Sequence, residues 1–399
     1  MTAPRFARRV AHLAPSSTAA VARAAAALAA SGVDVVDFGL GEPDFPTPEF
    51  VRRAGIAAIE AGHTKYTDSA GSPALRDAIA ARYRRAYGTA CARENVIVTA
   101  GAKQAVFNVC QALFQEGDEV AMFAPYWVSF PEIVRLSGAQ PAFVPTDIRS
   151  GWKPTASALD RIATERTRAV IVNSPCNPTG AVIEAEELSR LLDWCAARGA
   201  VLLFDETYDH FLYGGRRHFS AASLWAQHPG RIVITGAASK TYAMTGWRLG
   251  WALAAKELIS AMASYQSHST SNASSISQEA VRAALTDLER SEASVAEMLS
   301  QYDRRREVIL RGVRALPGVE CVDPEGAFYI FPRVQSLYAG KKVKGSVEFC
   351  RLLLNDARVA AVPGEAFGMD SCIRLSFATP VERIEEGLRR LTEWIRRDS

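Results

Sequence analysis

Ala200-Val201-Leu202-Leu203-Phe204-Asp205-Glu206-Thr207-Tyr208 is a short apolar run that ends in two acids, a hydroxyl and a phenol. A continuous apolar run of this length predicts a strand over 200–204 that is buried on both faces, as in parallel sheets. Similar runs occur at Val96–Thr99, Glu119–Phe123, Ala169–Asn173, Ile232–Thr235 and Leu249–Leu253. Helical stretches separate most of them. Ser72-Pro73 forms an N-cap and first-turn pair for a helix that Gly88 stops, and a helix over Glu184–Arg198 stops at Gly199. Alternating strands and helices imply a largely parallel sheet covered on both faces. From about Ser274 to Ala315 the pattern is long and helical, and Pro317-Gly318 breaks it. Strands near Ala327–Phe331 and Ile373–Phe377 and a closing helix from about Pro380 follow. The expected fold class is α/β: a large three-layer α/β/α domain with a mostly parallel sheet, plus a small α+β domain.

Open α/β sheets bind ligands outside the carboxyl ends of their strands. Here Val96–Thr99 leads into Gly101-Ala102-Lys103-Gln104 at a helix start, and the run ending at Asn173 leads into Ser174-Pro175-Cys176-Asn177-Pro178-Thr179-Gly180. The run ending at Phe204 leads into Asp205 and Tyr208. Ile232–Thr235 leads into Gly236 and Ser239-Lys240, with Arg248 eight residues further on. One sheet edge thus collects backbone amides at a helix start, an amide side chain, an acid, a phenol, a lysine and an arginine. That is an anion-binding corner beside an acid and an amine.

Composition narrows the field without choosing within it. The 399 residues carry 46 Lys+Arg against 43 Asp+Glu, a net charge of +3, with 48% hydrophobic residues. These values exclude a disordered chain, a collagen-like fibre and a disulfide scaffold, and they call for neither nucleic acid nor an anionic membrane. The seven cysteines form no C-x-x-C pair, and no H-E-x-x-H occurs, so no metal is expected and a reduced cytoplasm fits best. No uncharged apolar run reaches the roughly 18 residues that span a bilayer. Residues 1–33 hold Arg5, Arg8, Arg9 and Arg23 and no acid, a composition shared by transit peptides and by an arm followed by an alanine-rich amphipathic helix. The second reading is preferred. Gly39-Leu40-Gly41 begins like a dinucleotide fingerprint, but Glu42-Pro43-Asp44 follows it. Neither a G-x-x-x-x-G-K-[ST] loop nor a G-x-S-x-G elbow is present.

Ser239-Lys240-Thr241-Tyr242-Ala243-Met244-Thr245-Gly246-Trp247-Arg248 resembles the lysine motif of class I aminotransferases, pyridoxal-phosphate enzymes of fold type I. Gly41-Glu42-Pro43-Asp44-Phe45, Lys65-Tyr66, Pro125-Tyr126-Trp127, Asn173 to Gly180, Asp205-Glu206-x-Tyr208 and Arg374-Leu375-Ser376 resemble the family's other blocks, in its order, from about Arg8 to the C-terminus. The bacterial aspartate aminotransferase branch, with Gly-x-Lys-Gln at Gly101–Gln104, is the most similar. The resemblance implies a large domain over 48–290 and a discontinuous small domain from 1–47 and 291–399. It implies pyridoxal 5'-phosphate as cofactor and a homodimer with shared active sites in the cytoplasm. It also implies ping-pong transfer of an amino group from an L-amino acid, aspartate or glutamate first, to a 2-oxo acid such as 2-oxoglutarate.

The same resemblance implies roles. Lys240 carries the cofactor and moves the Cα proton. Asp205 keeps the pyridine nitrogen protonated. Tyr208 and Asn177 bond the phenolic oxygen. Backbone N–H groups at Gly101, Ala102 and Lys103, the Ser239 hydroxyl and Arg248 take the phosphate. Trp127 stacks on the ring and adjoins the substrate, and Tyr66 reaches the partner subunit's phosphate. Arg374 grips the α-carboxylate, with Asn177 beside it, Gly41 allows close approach, and Lys103 meets a distal carboxylate. Alone, each has a plainer reading: a surface lysine, a strand-end acid, a turn asparagine, a core aromatic or a surface ion pair. Ala237 stands where many relatives have serine or glycine, so a hydroxyl on the phosphate is lost. Ala102 replaces a common glycine and requires negative φ. Thr207 replaces an aliphatic residue, with little effect expected. Ala14 replaces a lysine that helps bind acidic substrates. The competing expectations are a β-lyase, cyclase or oxidase on the same scaffold, an aminotransferase for aromatic, prephenate or other side chains, and a non-catalytic sensor.

Overall fold

The structure is a computed structural model that describes residues 6, 7, 10, 13 and 17–397. Arg5, Arg8, Arg9 and Ala14 therefore lie outside the described residues. Ser17–Ala30 is a helix, and its Ala25 is buried against Leu354 and Ala360. No helix among the described residues is long and apolar enough to cross a membrane.

Seven strands form the main sheet, in the order Val96–Thr99, Gly250–Leu253, Ile232–Ala237, Val201–Asp205, Thr167–Asn173, Glu119–Ala124 and Gln140–Pro145. All neighbours are parallel except that Gly250–Leu253 runs antiparallel to both of its partners. The strands are apolar throughout because both faces are covered. Leu202, Phe204, Val170, Val172, Ile232 and Ile234 enter one core. Leu203, Ala169, Ile171 and Val233, the alternate residues, enter the other. Two cores on opposite sides of one sheet give the three-layer α/β/α body.

Local signals set the helix ends. Ser72 Oγ accepts from Leu75 N at 3.4 Å at the start of Pro73–Tyr87, and Gly88 closes it in the left-handed region at φ 65°. Ala185–Arg198 ends the same way at Gly199. The long C-terminal helical stretch is two helices, Ser275–Thr286 and Leu288–Arg314. Asp287 between them leaves helical geometry (φ −90°, ψ 81°), and its side chain caps Arg290 N.

A second, antiparallel sheet joins Val362–Pro363, Ile373–Ser376 and Tyr329–Ile330, with Ile373–Ser376 in the middle. Val36–Asp37 pairs parallel with Val359–Ala360. Phe38 N then donates to Ala360 O at 3.0 Å, and Ser376 N to Phe38 O at 2.8 Å. These bonds lay the segment Gly39–Glu42 beside Arg374 at the mouth of the large sheet.

Candidate active site

The carboxyl ends of the main-sheet strands open into a cavity of about 520 Å³. Gly41, Ala102, Lys103, Trp127, Asn177, Asp205, Tyr208, Ser239, Lys240, Arg248 and Arg374 all line it. They come from seven separate stretches of chain. Gly101 sits directly behind: a Cβ there would come within 2.5 Å of an Arg248 guanidinium nitrogen, and its φ is +87°. Only glycine lets the arginine approach this backbone. Tyr66 is the one predicted residue that the chain does not bring to its own cavity; it is 90% exposed.

Each side chain is set by the element beneath it. Strand Ile232–Ala237 runs directly into the short helix Ala238–Thr241, which carries Ser239 and Lys240. Lys240 Nζ donates to Gly41 O at 2.5 Å. Burial, partly opposed by Glu42 and reinforced by Arg374, Arg248 and Lys103, pulls the ammonium down to about 8. A free amine is therefore within reach at moderately alkaline pH. Arg248 follows the Thr245–Trp247 turn with φ 55° and donates to Thr245 O at 2.8 Å and Ala100 O at 3.1 Å. That ties it to the loop before the helix Ala102–Leu113, whose first N–H groups are open to an anion. Ala102 lies outside the left-handed region, so its Cβ is unstrained. Ala237 lines the cavity.

Asp205 ends its strand and is buried, which pushes its carboxyl up to about 6 against two bonds from Thr207. Thr207 N and Thr207 Oγ1 both donate to Asp205 Oδ1, at 3.0 and 2.6 Å. The next carboxylate, Glu206, turns the other way; it accepts from Tyr83 OH at 2.7 Å and pairs with His218 Nε2 at 2.9 Å. Asn173 bridges the two loops: Oδ1 accepts from Asn177 N at 2.7 Å, and Nδ2 donates to Asp205 O at 2.9 Å. Tyr208 OH lies 2.9 Å from Tyr329 OH, and burial raises both phenols.

Arg374 is 2% exposed. Its terminal nitrogens donate to Asn177 Oδ1 at 3.1 Å and Gly39 O at 2.8 Å, and its plane lies 4.4 Å over the Tyr329 ring. Its Nε is buried without a partner. Lys103 Nζ sits 5.1 Å over the Trp127 ring, and burial together with Arg248 lowers its pKa. Among the described residues no carboxylate pairs with it.

Sequence reasoning missed Tyr329, Asn173 and Thr207 as site residues, and passed over Glu42, whose carboxylate lines the cavity and accepts from Thr245 Oγ1 at 2.6 Å. Glu42 and Asn173 stood inside quoted motifs and could have been marked. Tyr329 lies in a strand of the small sheet with no local polar signal. Thr207 was expected to matter little; its hydroxyl instead bonds the acid at the centre of the site.

The donor set fits a phosphorylated pyridine aldehyde. Gly101 and Arg248 form a cradle that any Cβ would fill, Asp205 is a buried acid awaiting a cation, Lys240 is a depressed amine, and Arg374 holds an unused donor. Comparisons with known proteins agree with this chemistry. The family profile described as "Aminotransferase class I and II" matches residues 33–391. The aspartate aminotransferase of Geobacillus stearothermophilus is 42% identical over 387 residues, covering 97% of this chain and 98% of that protein. The probable aspartate/prephenate aminotransferase of Aquifex aeolicus is 42% identical over 386 residues, covering 97% of each. Among solved structures, the aspartate aminotransferase from Thermus thermophilus with maleate superposes with a TM-score of 0.93 at 41% identity, covering 98% of this chain and 100% of that one. These relatives do not favour the β-lyase, cyclase or oxidase reading.

Proposed function

We propose, from the premise that this chain belongs to the class I and II aminotransferase family, that its preferred amino donors are aspartate and glutamate and its acceptor a 2-oxo acid such as 2-oxoglutarate. The family uses pyridoxal 5'-phosphate, and the chain is an amino-group-transferring enzyme. When bound, the cofactor supplies an aldehyde that takes up the substrate amine and a protonated ring that draws electrons from the bonds at Cα.

The chain's own residues do the rest. Lys240 Nζ would hold the cofactor and serve as the base at Cα; its depressed pKa gives it a neutral form suited to moving that proton. Asp205 would hold a proton on the ring nitrogen. Tyr208 and Asn177 would bond the phenolic oxygen, and Trp127 would cover the ring face. The Gly101–Lys103 amides, Ser239 and Arg248 would hold the phosphate. Arg374 would take the α-carboxylate through its fork. A Cβ at Gly41 would lie 3.4 Å from Tyr329 OH and 3.9 Å from an Arg374 nitrogen, ordinary contact distances at which a side chain is tolerated.

One observation carries the dicarboxylate preference: Lys103, with no carboxylate partner among the described residues, lines the cavity that Arg374 also lines. Two cations suit a substrate with two carboxylates. Arg374→Ala is expected to raise KM about 100-fold or more for every amino acid, because all share the α-carboxylate. Lys103→Ala should raise KM about 10-fold for aspartate and glutamate and leave alanine unchanged. Equal effects of Lys103→Ala on alanine and aspartate would count against the assignment.

The overall reading is tested by adding single amino acids to the holoenzyme and following the cofactor's absorbance, then assaying 2-oxoglutarate consumption against ammonia release. No spectral response to aspartate, glutamate, alanine or the aromatic amino acids would sink it. The enzyme works as a cytoplasmic homodimer in which Tyr66 reaches the partner's phosphate; its 90% exposure, away from its own cavity, supports this. The two bodies are 48–290 and the discontinuous 1–47 with 291–399. Support comes from Lys240, on the helix that follows a strand of the large sheet, and Arg374, on the small sheet, lining a single cavity.

A further inference from the structure

A strand-end aspartate often accepts the backbone N–H two residues on, and any residue at 207 could supply that bond. The hydroxyl bond is different, because it depends on the side chain. Thr207 Oγ1 donates to Asp205 Oδ1 at 2.6 Å, in addition to the N–H at 3.0 Å. Both bonds fall on the same oxygen, so Thr207 leaves Oδ2 to whatever occupies the cavity that Asp205 lines.

We infer that Thr207 is a positioning residue: its hydroxyl locks Oδ1 of Asp205 and keeps that carboxylate charged for the protonated ring of the cofactor. This rests on the role proposed for Asp205 above. Burial is the largest influence on this acid and favours its neutral form, and the adjacent Glu206 pushes the same way. A neutral Asp205 could not hold a pyridinium by charge. The two Thr207 donors oppose both influences, since a hydrogen bond to the anion stabilises it. The other titratable groups coupled to Asp205 are Tyr208 from the following turn and Cys176 from the Asn173–Gly180 loop. Lys240 and Arg374 share the cavity with it. Glu206 is held by Tyr83 and His218 on the far side and offers Asp205 no bond. Removing the Thr207 hydroxyl takes the donor that bonds Oδ1 from the acid and leaves in place the backbone bond, the other cavity residues and Thr235, which also favours the charged form.

The test uses the whole enzyme with Thr207→Val, Thr207→Ala and Thr207→Ser, each loaded with 15N-labelled pyridoxal phosphate. Two quantities are read: the cofactor dissociation constant and the 15N shift of the ring nitrogen as a function of pH. Valine and alanine should weaken cofactor binding about tenfold and move the ring-nitrogen titration about one unit toward lower pH. Serine should restore both to near wild type. Unchanged values in valine and alanine overturn the inference. So does a loss of affinity with an unchanged 15N titration, because that pattern marks packing and not charge. Asp205→Ala runs in parallel: if it leaves both readouts as in wild type, the role of Asp205 itself fails, whereas an effect there without one at Thr207 overturns only the present inference.

Discussion

Lys240→Ala is expected to lower turnover of aspartate with 2-oxoglutarate on the order of 10⁴-fold or more, with the fold and the phosphate cradle intact. The size follows from the two roles proposed for this residue, both lost at once: the covalent anchor for the cofactor, and the base that works at Cα. Truncating the aminobutyl chain to a methyl leaves Gly41 O without its donor and widens a cavity that the side chain already lines. A steady-state assay on the purified variant checks the result, and near wild-type rates would falsify the role. The pH behaviour of the amine can be followed in enzyme stripped of cofactor. With the folded pKa near 8 against an ordinary 10.5, the folded chain releases a proton that the unfolded chain still holds between those values. Stability from this group therefore rises with pH across that window. Labelling of Lys240 by an amine-directed reagent should show a midpoint near 8, and a midpoint at the ordinary lysine value would contradict the burial argument.

Asp205→Ala should be the second most damaging change, cutting kcat on the order of 10³-fold and weakening cofactor retention. Without the carboxylate nothing at the end of the Val201–Asp205 strand holds a proton on the pyridine nitrogen, and the ring draws electrons poorly. The effect should fall on kcat more than on amino-acid KM, because Arg374, proposed above to take the α-carboxylate, is hydrogen-bonded to Asn177 and Gly39 and not to Asp205. Asp205→Glu should recover only part of the rate: Asp205 is 5% exposed, and the extra methylene has little room. A variant that keeps both its cofactor and its kcat would remove Asp205 from the mechanism.

Much of this was legible in the chain because its signals are local. The strands over Val96–Thr99, 119–124, 167–173, 201–205, 232–237 and 250–253 are short apolar runs bounded by turn residues, and all six form, within a few residues of their expected limits. The strand missed from the main sheet, Gln140–Pro145, lies at its edge, is largely unburied and carries a proline at 141 and another at 145. An edge strand has one unpaired side, tolerates proline there and shows no buried run to recognise. The break at Asp287 was also hidden, since a single capping side chain interrupts an otherwise continuous helical pattern.

The site divides along the same line. By itself the sequence determined which residues end the parallel strands, and parallel strands must present those ends on one edge; Asp205, Asn177, Ser239 and Lys240 followed from that. Tertiary structure alone decided the contacts that cross between distant segments. It set Arg374 over Tyr329 and beside Asn177, Glu42 against Thr245, and Gly101 close enough to Arg248 that no side chain fits between them. It also gave the Thr207 hydroxyl its place on Asp205 Oδ1. The physical reason is that period and turn chemistry are properties of neighbouring residues, whereas the direction of a buried donor is set by whatever the fold packs around it.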